Sequence, residues 1–405
     1  MRVVAFGRGR KTGYLSNRSP MTLSPPSEPR PRDVPRDRPR PRPRAWAKRL
    51  TLLTATALVL LGLLELLLAR APEVFGEQRA NAIFSTYDTK PGGIYIREKR
   101  SRIRFMWPDF ATGNYWNGYR WHHATDGRGF RNPPGTPADV LLLGDSLIYG
   151  HGVEEAETVA HFLRSEHRVG AYNMGRQGAA LYDEYVLLRT FLPELAPRAI
   201  VLFVFLNDFD DLEVYRTADE ISAIPEIDQL DYGALREWNR QLPARMPSAL
   251  RRWLWRRPSL RLVRSAAQEL GSLALTTPAW AAEPASDPAF LAPLLDVERR
   301  ERLATYYEKV FADIAGRCRA HDIDLRIVYL GFGDDPGTYT TGQDAAVALV
   351  RAAADFSHLP VYDTRELFSG CSACFLPHDG HYTAAGHRRL ARFVAETVLA
   401  GAPVW

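Results

Sequence analysis

From residue 138 onward, short apolar runs alternate with segments of helical periodicity. Five such runs predict β-strands, at residues 138–143, 169–174, 199–206, 325–331 and 359–362. Five stretches between and after them predict helices, at residues 157–166, 182–192 (closing before Pro193), 297–321, 343–356 and 384–399. Apolar strands alternating with helices are typical of a parallel sheet covered on both faces. We therefore expect a three-layer α/β/α sandwich around a mainly parallel five-stranded sheet.

A longer apolar stretch precedes this region. Residues 50–69 contain one acid, Glu65, and no basic residue, and about 20 apolar residues span the hydrocarbon core of a bilayer. A cleaved signal peptide is the rival interpretation, but its charged and apolar parts would both be too long. Residues 30–49 hold nine Lys/Arg and residues 70–89 hold two. This asymmetry predicts a single-pass membrane helix with a cytoplasmic N-terminus and a periplasmic or extracellular remainder.

Charge is unevenly distributed along the 405 residues. Residues 1–49 carry 14 Lys/Arg and three Asp/Glu, a net charge of +11, whereas the whole chain has +5. The remainder is therefore mildly acidic (5 − 11 = −6), and we predict no nucleic-acid partner. The basic tail of residues 1–49 is rich in arginine and proline and is expected to be disordered.

Two further segments flank the predicted strands. Residues 70–137 read as a connector with an aromatic cluster, formed by Phe105, Trp107, Phe110, Tyr115, Trp116, Tyr119 and Trp121. These rings either pack on the main domain, which we favour, or form a rim that stacks on sugars. The domain of residues 138–405 contains an insertion at about 213–296. Its basic, tryptophan-containing part, 250–264, reads equally well as a surface helix pair or as an amphipathic lid or membrane contact.

Two short motifs follow the first two predicted strands. Gly144-Asp145-Ser146-Leu147 comes first, and a serine at a strand-to-helix turn is exposed near helix N-terminal amides. The alternative is that this motif only caps the next helix. The segment 173–178 follows the second strand, where Gly175 lets a backbone N–H approach a ligand oxygen. Taken alone, this second motif is better explained as an ordinary turn.

Two more motifs follow later strands. Asn207 comes after the third predicted strand, where its amide either donates to an oxyanion or forms part of a turn. Asp379 lies two residues before His381 in the segment 378–382, a spacing that pairs a carboxylate with an imidazole. Metal binding is a rival interpretation, because His378 and His387 lie nearby. The spacings typical of zinc sites are absent, however, and we predict neither a metal nor a cofactor.

Taken in this order, the four motifs resemble the SGNH/GDSL hydrolase family. The resemblance covers residues 138 to about 399, apart from the insertion. It implies a flavodoxin-like sheet and acyl transfer, with Ser146 as nucleophile, His381 as base and Asp379 as its orienting acid. It also implies an oxyanion hole formed by Gly175, Asn207 and the Ser146 amide.

Other features of the sequence bear on this resemblance. The membrane-anchored layout, with Gly129-Phe130-Arg131 ahead of the catalytic strand, also looks like bacterial members of the family. Two departures concern the motifs. Phe205 stands where the third motif usually has glycine, and the last motif usually spaces Asp three residues before His.

The resemblance implies a serine esterase for an ester-bearing small molecule or glycan. Acylated cell-envelope carbohydrates and lipid-like esters are the candidate substrates. An O-acyltransferase that uses the same triad is the first alternative, and an inactive scaffold or binding module is the second. The sequence does not decide between hydrolysis and transfer.

The cysteines add one structural expectation. Cys371 and Cys374 lie close to the segment 378–382, and a small disulfide there would stiffen it in an oxidising compartment. The sequence leaves open whether these two thiols are bonded. Cys318 falls within a helical pattern and is expected to be a core residue.

Overall fold

A computed structural model of the chain describes residues 43–71, 74, 81, 94–97, 103–206, 208–209, 237, 257–263, 297–331, 340–377 and 379–400. The expectations for most of the basic tail and most of the insertion lie outside the described residues. So do those for Asn207 and His378.

The apolar stretch forms one long helix, α1, at Pro43–Arg70. Its segment Trp46–Leu68 has 23 residues and is long and apolar enough to cross a bilayer, for which about 20 residues suffice. Its leucines are exposed, as in Leu52, Leu58 and Leu63. An exposed apolar helix of this length agrees with the predicted membrane span, since a helix of a soluble core would bury such side chains.

The predicted parallel sheet is confirmed. Its strands are β5 (Val140–Leu143), β6 (Ala171–Asn173), β7 (Ala199–Val204), β8 (Asp324–Tyr329) and β9 (Val361–Asp363). All neighbours pair in parallel, in the order β6-β5-β7-β8-β9. This order reverses direction beside β5, and ligands of such sheets bind outside the carboxyl ends of the strands at that point.

Helices cover both faces of the sheet. Among the described residues, the helices of this domain include α2 (Ser146–Tyr149), α3 (Val159–His167), α4 (Leu181–Leu195), α5 (Val297–Ala320), α6 (Thr340–Phe356), α7 (Arg365–Phe368) and α8 (Ala384–Phe393). Alternate strand residues divide between two separate cores. Leu141 and Leu202 pack with α4, α5 and α6, whereas Leu142 and Val201 pack with α3 and α8. The fold is therefore the predicted three-layer α/β/α sandwich.

The predicted helix end at Pro193 is wrong, because α4 continues to Leu195. A proline lacks only its own backbone N–H, and near the last turn this removes one intrahelical hydrogen bond. The buried positions Phe191 and Leu192 hold this turn against the core.

The segment expected to be a connector contains strands. β1 (Tyr95–Arg97) pairs with β2 (Arg104–Met106), and β3 (Ala111–Trp116) pairs with β4 (Tyr119–Ala124) as a hairpin. Four of the seven aromatic residues noted in the sequence are buried, namely Phe105, Trp107, Tyr115 and Trp121. Packing therefore accounts for these four, as favoured above, whereas Phe110, Trp116 and Tyr119 are only half-buried.

Part of the insertion is described, at residues 257–263. Ser259 is buried, and its hydroxyl donates a hydrogen bond to the carboxylate of Glu65 near the end of α1. Leu260 and Val263 are exposed. The acid noted in the apolar stretch thus has a polar partner.

Candidate active site

The candidate nucleophile lies at the turn between β5 and α2. The Asp145 side chain caps α2 by accepting a hydrogen bond from the Leu147 amide at 2.8 Å. The Ser146 hydroxyl is therefore not needed as the cap. Its Oγ lies 2.8 Å from Nε2 of His381 and 3.5 Å from Oδ2 of Asp145. The shorter contact has the geometry of a hydroxyl that can pass its proton to an imidazole.

The other two triad candidates lie on the loop before α8. An antiparallel bridge between Phe375 and Tyr382 closes this loop at its base. Nδ1 of His381 is hydrogen-bonded to Oδ1 of Asp379. The side chain of Asp379 is 1% exposed and that of His381 is 21% exposed. The carboxylate is thus shielded behind an imidazole that a substrate can still approach.

The environment of Asp379 favours its ionised form. Burial raises the pKa of this carboxyl, but the hydrogen bond from His381 and the charge of that imidazole, with a smaller contribution from the Asn117 hydrogen bond, outweigh burial and hold the pKa below its usual value. A carboxylate that stays ionised can fix the tautomer of the imidazole and stabilise an imidazolium. This is the arrangement expected of the orienting acid in a Ser-His-Asp triad.

A side chain at the turn of the β3–β4 hairpin also contacts the Asp379 carboxylate. Asn117 occupies the hairpin turn with a φ of 45°, a conformation that asparagine tolerates. Its Nδ2 donates to Oδ2 of Asp379 at 2.9 Å. Asn81 donates to the Asn117 Oδ1 at 2.6 Å and accepts from the Asn117 amide at 2.8 Å. The segment expected to be a connector therefore helps to build the site.

His151 also lies beside the triad, and the sequence analysis did not single it out. Its side chain is 5% exposed, and its ring stacks on that of His381 with a centroid distance of 4.0 Å and an interplanar angle of 18°. Its Nδ1 lies 3.0 Å from Nε2 of Gln177. The only sequence signal was its position, five residues after Ser146.

Arg131 of the Gly-Phe-Arg segment holds the loop that carries His151. The guanidinium is fully buried and donates to the carbonyl oxygens of Gly150 and Val153, each at 2.6 Å, and of His122 at 2.9 Å. These bonds join the loop after α2 to strand β4. Arg131, the last residue of the Gly129-Phe130-Arg131 segment, thus has a structural role close to the site.

The turn after β6 carries Gly175, the glycine proposed for the oxyanion hole. Its amide donates to Oδ1 of Asn173 at 2.8 Å, and Nδ2 of Asn173 donates to the carbonyl oxygen of Ile148 at 3.0 Å. A Cβ on Gly175 would lie 2.2 Å from the Tyr149 amide nitrogen. The glycine is therefore required by the close approach of this turn to α2, and its N–H is occupied within the chain. Gly178, in contrast, is exposed and has a φ of 59°.

The turn after β7 is described only in part. Asn207 lies outside the described residues. Its neighbour Asp208 is fully buried and accepts a hydrogen bond from the Phe205 amide at 2.7 Å. This bond closes a tight turn at the carboxyl end of β7, on the same edge of the sheet as Ser146.

The rings of the triad region do not suit a shared metal ion. One ligand atom from each of His151, Asp379 and His381 lies within 4.8 Å of the others. Imidazole binds metals through lone pairs in the ring plane. The rings of His151 and His381 lie in nearly parallel planes with their centroids 4.0 Å apart, so lone pairs in the two planes do not meet at one ion. His387, a member of the histidine cluster noted in the sequence, is fully buried in the core.

A disulfide precedes the loop that carries Asp379 and His381. Cys371 and Cys374 are bonded to each other, and Cys318 is free and buried, as expected. The Cys374 carbonyl accepts a hydrogen bond from the amide of Thr383 at 2.9 Å, and Thr383 caps α8. The disulfide therefore braces both ends of the loop.

Comparisons with known proteins find likeness among solved structures only. No protein-family model and no curated protein matches the chain. A lipase/acylhydrolase from Enterococcus faecalis is 13% identical, with a TM-score of 0.33, covering 64% of this chain and 94% of its own. An acetyl xylan esterase, AlAXEase, is 12% identical, with a TM-score of 0.34, covering 65% and 99%. A GDSL-like lipase from Bacteroides thetaiotaomicron is 11% identical, with a TM-score of 0.31, covering 64% and 86%.

These structures carry names of the class that the sequence motifs resemble. The function of this chain is inferred from the chemistry of its site.

Proposed function

We propose that this protein is a serine ester hydrolase of the SGNH/GDSL type, with Ser146, His381 and Asp379 as its triad. The observation that carries the proposal is the pair of contacts made by His381, to the Ser146 hydroxyl at 2.8 Å and to the Asp379 carboxylate. An imidazole held between a hydroxyl and a carboxylate is suited to general-base activation of the hydroxyl.

The proposed reaction starts with attack of Ser146 Oγ on the carbonyl carbon of an ester. The hydroxyl proton moves to Nε2 of His381, and the resulting imidazolium is stabilised by Asp379. Collapse of the tetrahedral anion breaks the ester bond, and His381 returns the proton to the departing alcohol. Water then hydrolyses the acyl-enzyme by the same steps and restores the serine.

The tetrahedral anion needs hydrogen-bond donors. We propose the Ser146 amide at the start of α2 and the side chain of Asn207 for this role, as the family resemblance implies. The Gly175 amide is occupied by Asn173, so its role in an oxyanion hole requires that this bond be exchanged for one to the substrate. Gly178 is a better candidate, because it is exposed and adjoins Gln177, whose side chain reaches the triad region through His151.

The surroundings of the site support an acylated carbohydrate as substrate. Trp116 and Tyr119 are half-buried on the hairpin whose turn residue, Asn117, contacts Asp379. Aromatic faces beside a triad suit stacking on a sugar ring. We further propose that α1 anchors the protein in the cytoplasmic membrane with its basic tail inside, which directs the catalytic domain to cell-envelope glycans. The disulfide suits that oxidising side.

The test is a pair of serine variants of the full-length chain in detergent, assayed with p-nitrophenyl acetate. Ser146→Ala is expected to lower kcat by at least about a thousandfold, since loss of the nucleophile removes the acyl-enzyme route. Ser165→Ala is the matched control, because Ser165 is an exposed residue of α3 whose hydroxyl donates a hydrogen bond to the His161 carbonyl of the same helix. Equal turnover by both variants and the wild type would refute the proposal.

Hydrolysis and transfer give different products from the same acyl-enzyme. Mass spectrometry of envelope glycans from cells with wild-type protein or Ser146→Ala separates them. A hydrolase predicts that esters accumulate in the variant, and a transferase predicts that they disappear.

A further inference from the structure

His151 is held in a defined orientation against the catalytic imidazole. Its ring centroid lies 4.0 Å from that of His381 and 4.7 Å from that of Trp121. Trp116 meets it edge-on at 6.3 Å and 84°. A buried imidazole that packs against three rings in this way has little freedom to reorient.

Two further contacts fix the position of this ring. Gln177 binds its Nδ1 at 3.0 Å, and Arg131 binds the carbonyl of the preceding residue, Gly150, at 2.6 Å. Its Nε2 lies 4.0 Å from Oδ2 of Asp379, which is too long for a hydrogen bond. The ring therefore contacts the triad mainly through its π face.

The ring is also uncharged at neutral pH. Burial lowers the pKa of His151 well below its usual value, and the charges of His381 and Arg131 act in the same direction against the opposing effect of Asp379. A neutral ring adds no positive charge next to His381. Its π face is instead attractive to the cation that forms when His381 takes the serine proton.

We propose that His151 is a positioning residue, whose ring stacks on His381 and keeps it in the plane that joins Ser146 to Asp379. This inference rests on the proposed function, because it assigns His151 to the same triad. Its effect is exerted through His381, without contact to the substrate.

The test compares His151→Ala, which removes the ring, with His151→Phe, which keeps a flat ring without nitrogens. The control is His161→Ala on α3, a partly exposed residue that lies near Glu155. Each full-length variant in detergent is assayed for kcat and KM with p-nitrophenyl acetate. The rate of Ser146 labelling by a p-nitrophenyl phosphonate is measured in parallel.

We expect His151→Ala to lower both kcat and the labelling rate about fivefold, the size of effect typical of an aromatic pair, with KM within about twofold. His151→Phe is expected to recover both rates to within about twofold of the wild type, and His161→Ala to leave them unchanged. If His151 had only a structural role, His151→Ala would have a lower melting temperature, but kcat would not fall while KM stays unchanged. The rates of His151→Phe would then also not return towards those of the wild type.

The outcomes distinguish the two proposals. A wild-type protein that the phosphonate does not label at Ser146 would overturn the proposed function, and this inference with it. If the wild type is labelled and His151→Ala is equally fast, only the role of His151 is overturned. The role of His151 is also overturned if His151→Phe folds but is as slow as His151→Ala. It is overturned as well if His151→Ala does not fold while His151→Phe folds and is inactive.

Discussion

The buried imidazole of His387 makes a quantitative prediction about stability and pH. The residue lies on α8 with its ring edge-on to Tyr382, and it is fully buried. Burial, reinforced by the charges of Arg131 and His381, lowers the pKa of His387 from 6.5 to about 3. Between these two values the unfolded chain binds a proton that the folded chain does not.

The sign of the effect follows from this difference. Because the unfolded state binds more protons, the free energy of unfolding decreases as the pH falls below 6.5. One such histidine lowers the free energy of unfolding by about 2 kcal/mol between pH 7 and pH 5, at about 1.4 kcal/mol per pH unit. Leucine has a similar volume and cannot titrate. The free energy of unfolding of His387→Leu should therefore fall by about 2 kcal/mol less than that of the wild type over this interval. His123, also buried with a pKa of about 3, is present in both proteins and cancels.

The assay is guanidinium chloride unfolding of the full-length chain in detergent at pH 7 and pH 5, followed by tryptophan fluorescence. The quantity compared is the change in unfolding free energy between the two pH values in each protein. An equal change in the wild type and in His387→Leu would refute the claim that this imidazole is buried in its neutral form.

Two further predictions concern the groups around the catalytic loop. Asn117→Ala removes a hydrogen bond to the Asp379 carboxylate, so we expect the pKa of Asp379 to rise. Because hydrogen bonds to charged groups contribute about 1.5–3 kcal/mol, kcat/KM for p-nitrophenyl acetate should fall about tenfold. An unchanged kcat/KM would contradict a role of this hydrogen bond in the site. Reduction of the Cys371–Cys374 disulfide, or its replacement by two serines, should lower the melting temperature of the protein. Calorimetry that gives the same melting temperature with and without the disulfide would show that it does not brace the loop.

The sheet could be predicted from the sequence because its strands β5 and β7 are short and fully apolar. All residues of β5 and β7 are buried, which matches the near-continuous apolar runs read from the chain. The contact between Ser146 and His381, which are 235 residues apart, could be expected from the sequence only because their two motifs resemble those of the SGNH/GDSL family. The position of Ser146 directly after β5 also places it at the carboxyl edge of the sheet, where ligands of such sheets bind.

The hairpin and its contribution to the site could not be predicted in this way. The residues of β3 alternate irregularly between exposed and buried, so the chain shows no period of two there. Asn117 acts through its contact with a residue 262 positions later. Only the folded arrangement, with the hairpin turn placed against the catalytic loop, reveals it.

His151 and Gly175 show that contacts at a site depend on the folded arrangement as well as on the local sequence. A histidine close to a candidate nucleophile has no distinctive spacing, and its stacking on His381 depends on a buried pocket built by other segments. Gly175 has the expected position for an oxyanion donor, but the nearby side chain of Asn173 competes for its amide. Such competition between a side chain and the backbone is common for asparagine at turns.

The central claim is that Ser146 becomes acylated with His381 as its base. The most direct measurement is acid quenching of the full-length chain during turnover of p-nitrophenyl acetate, followed by peptide mass spectrometry. The account predicts one acetyl group on Ser146 in the wild type and none in His381→Ala. Acetyl groups on another residue, or equal acetylation of Ser146 in both proteins, would contradict it.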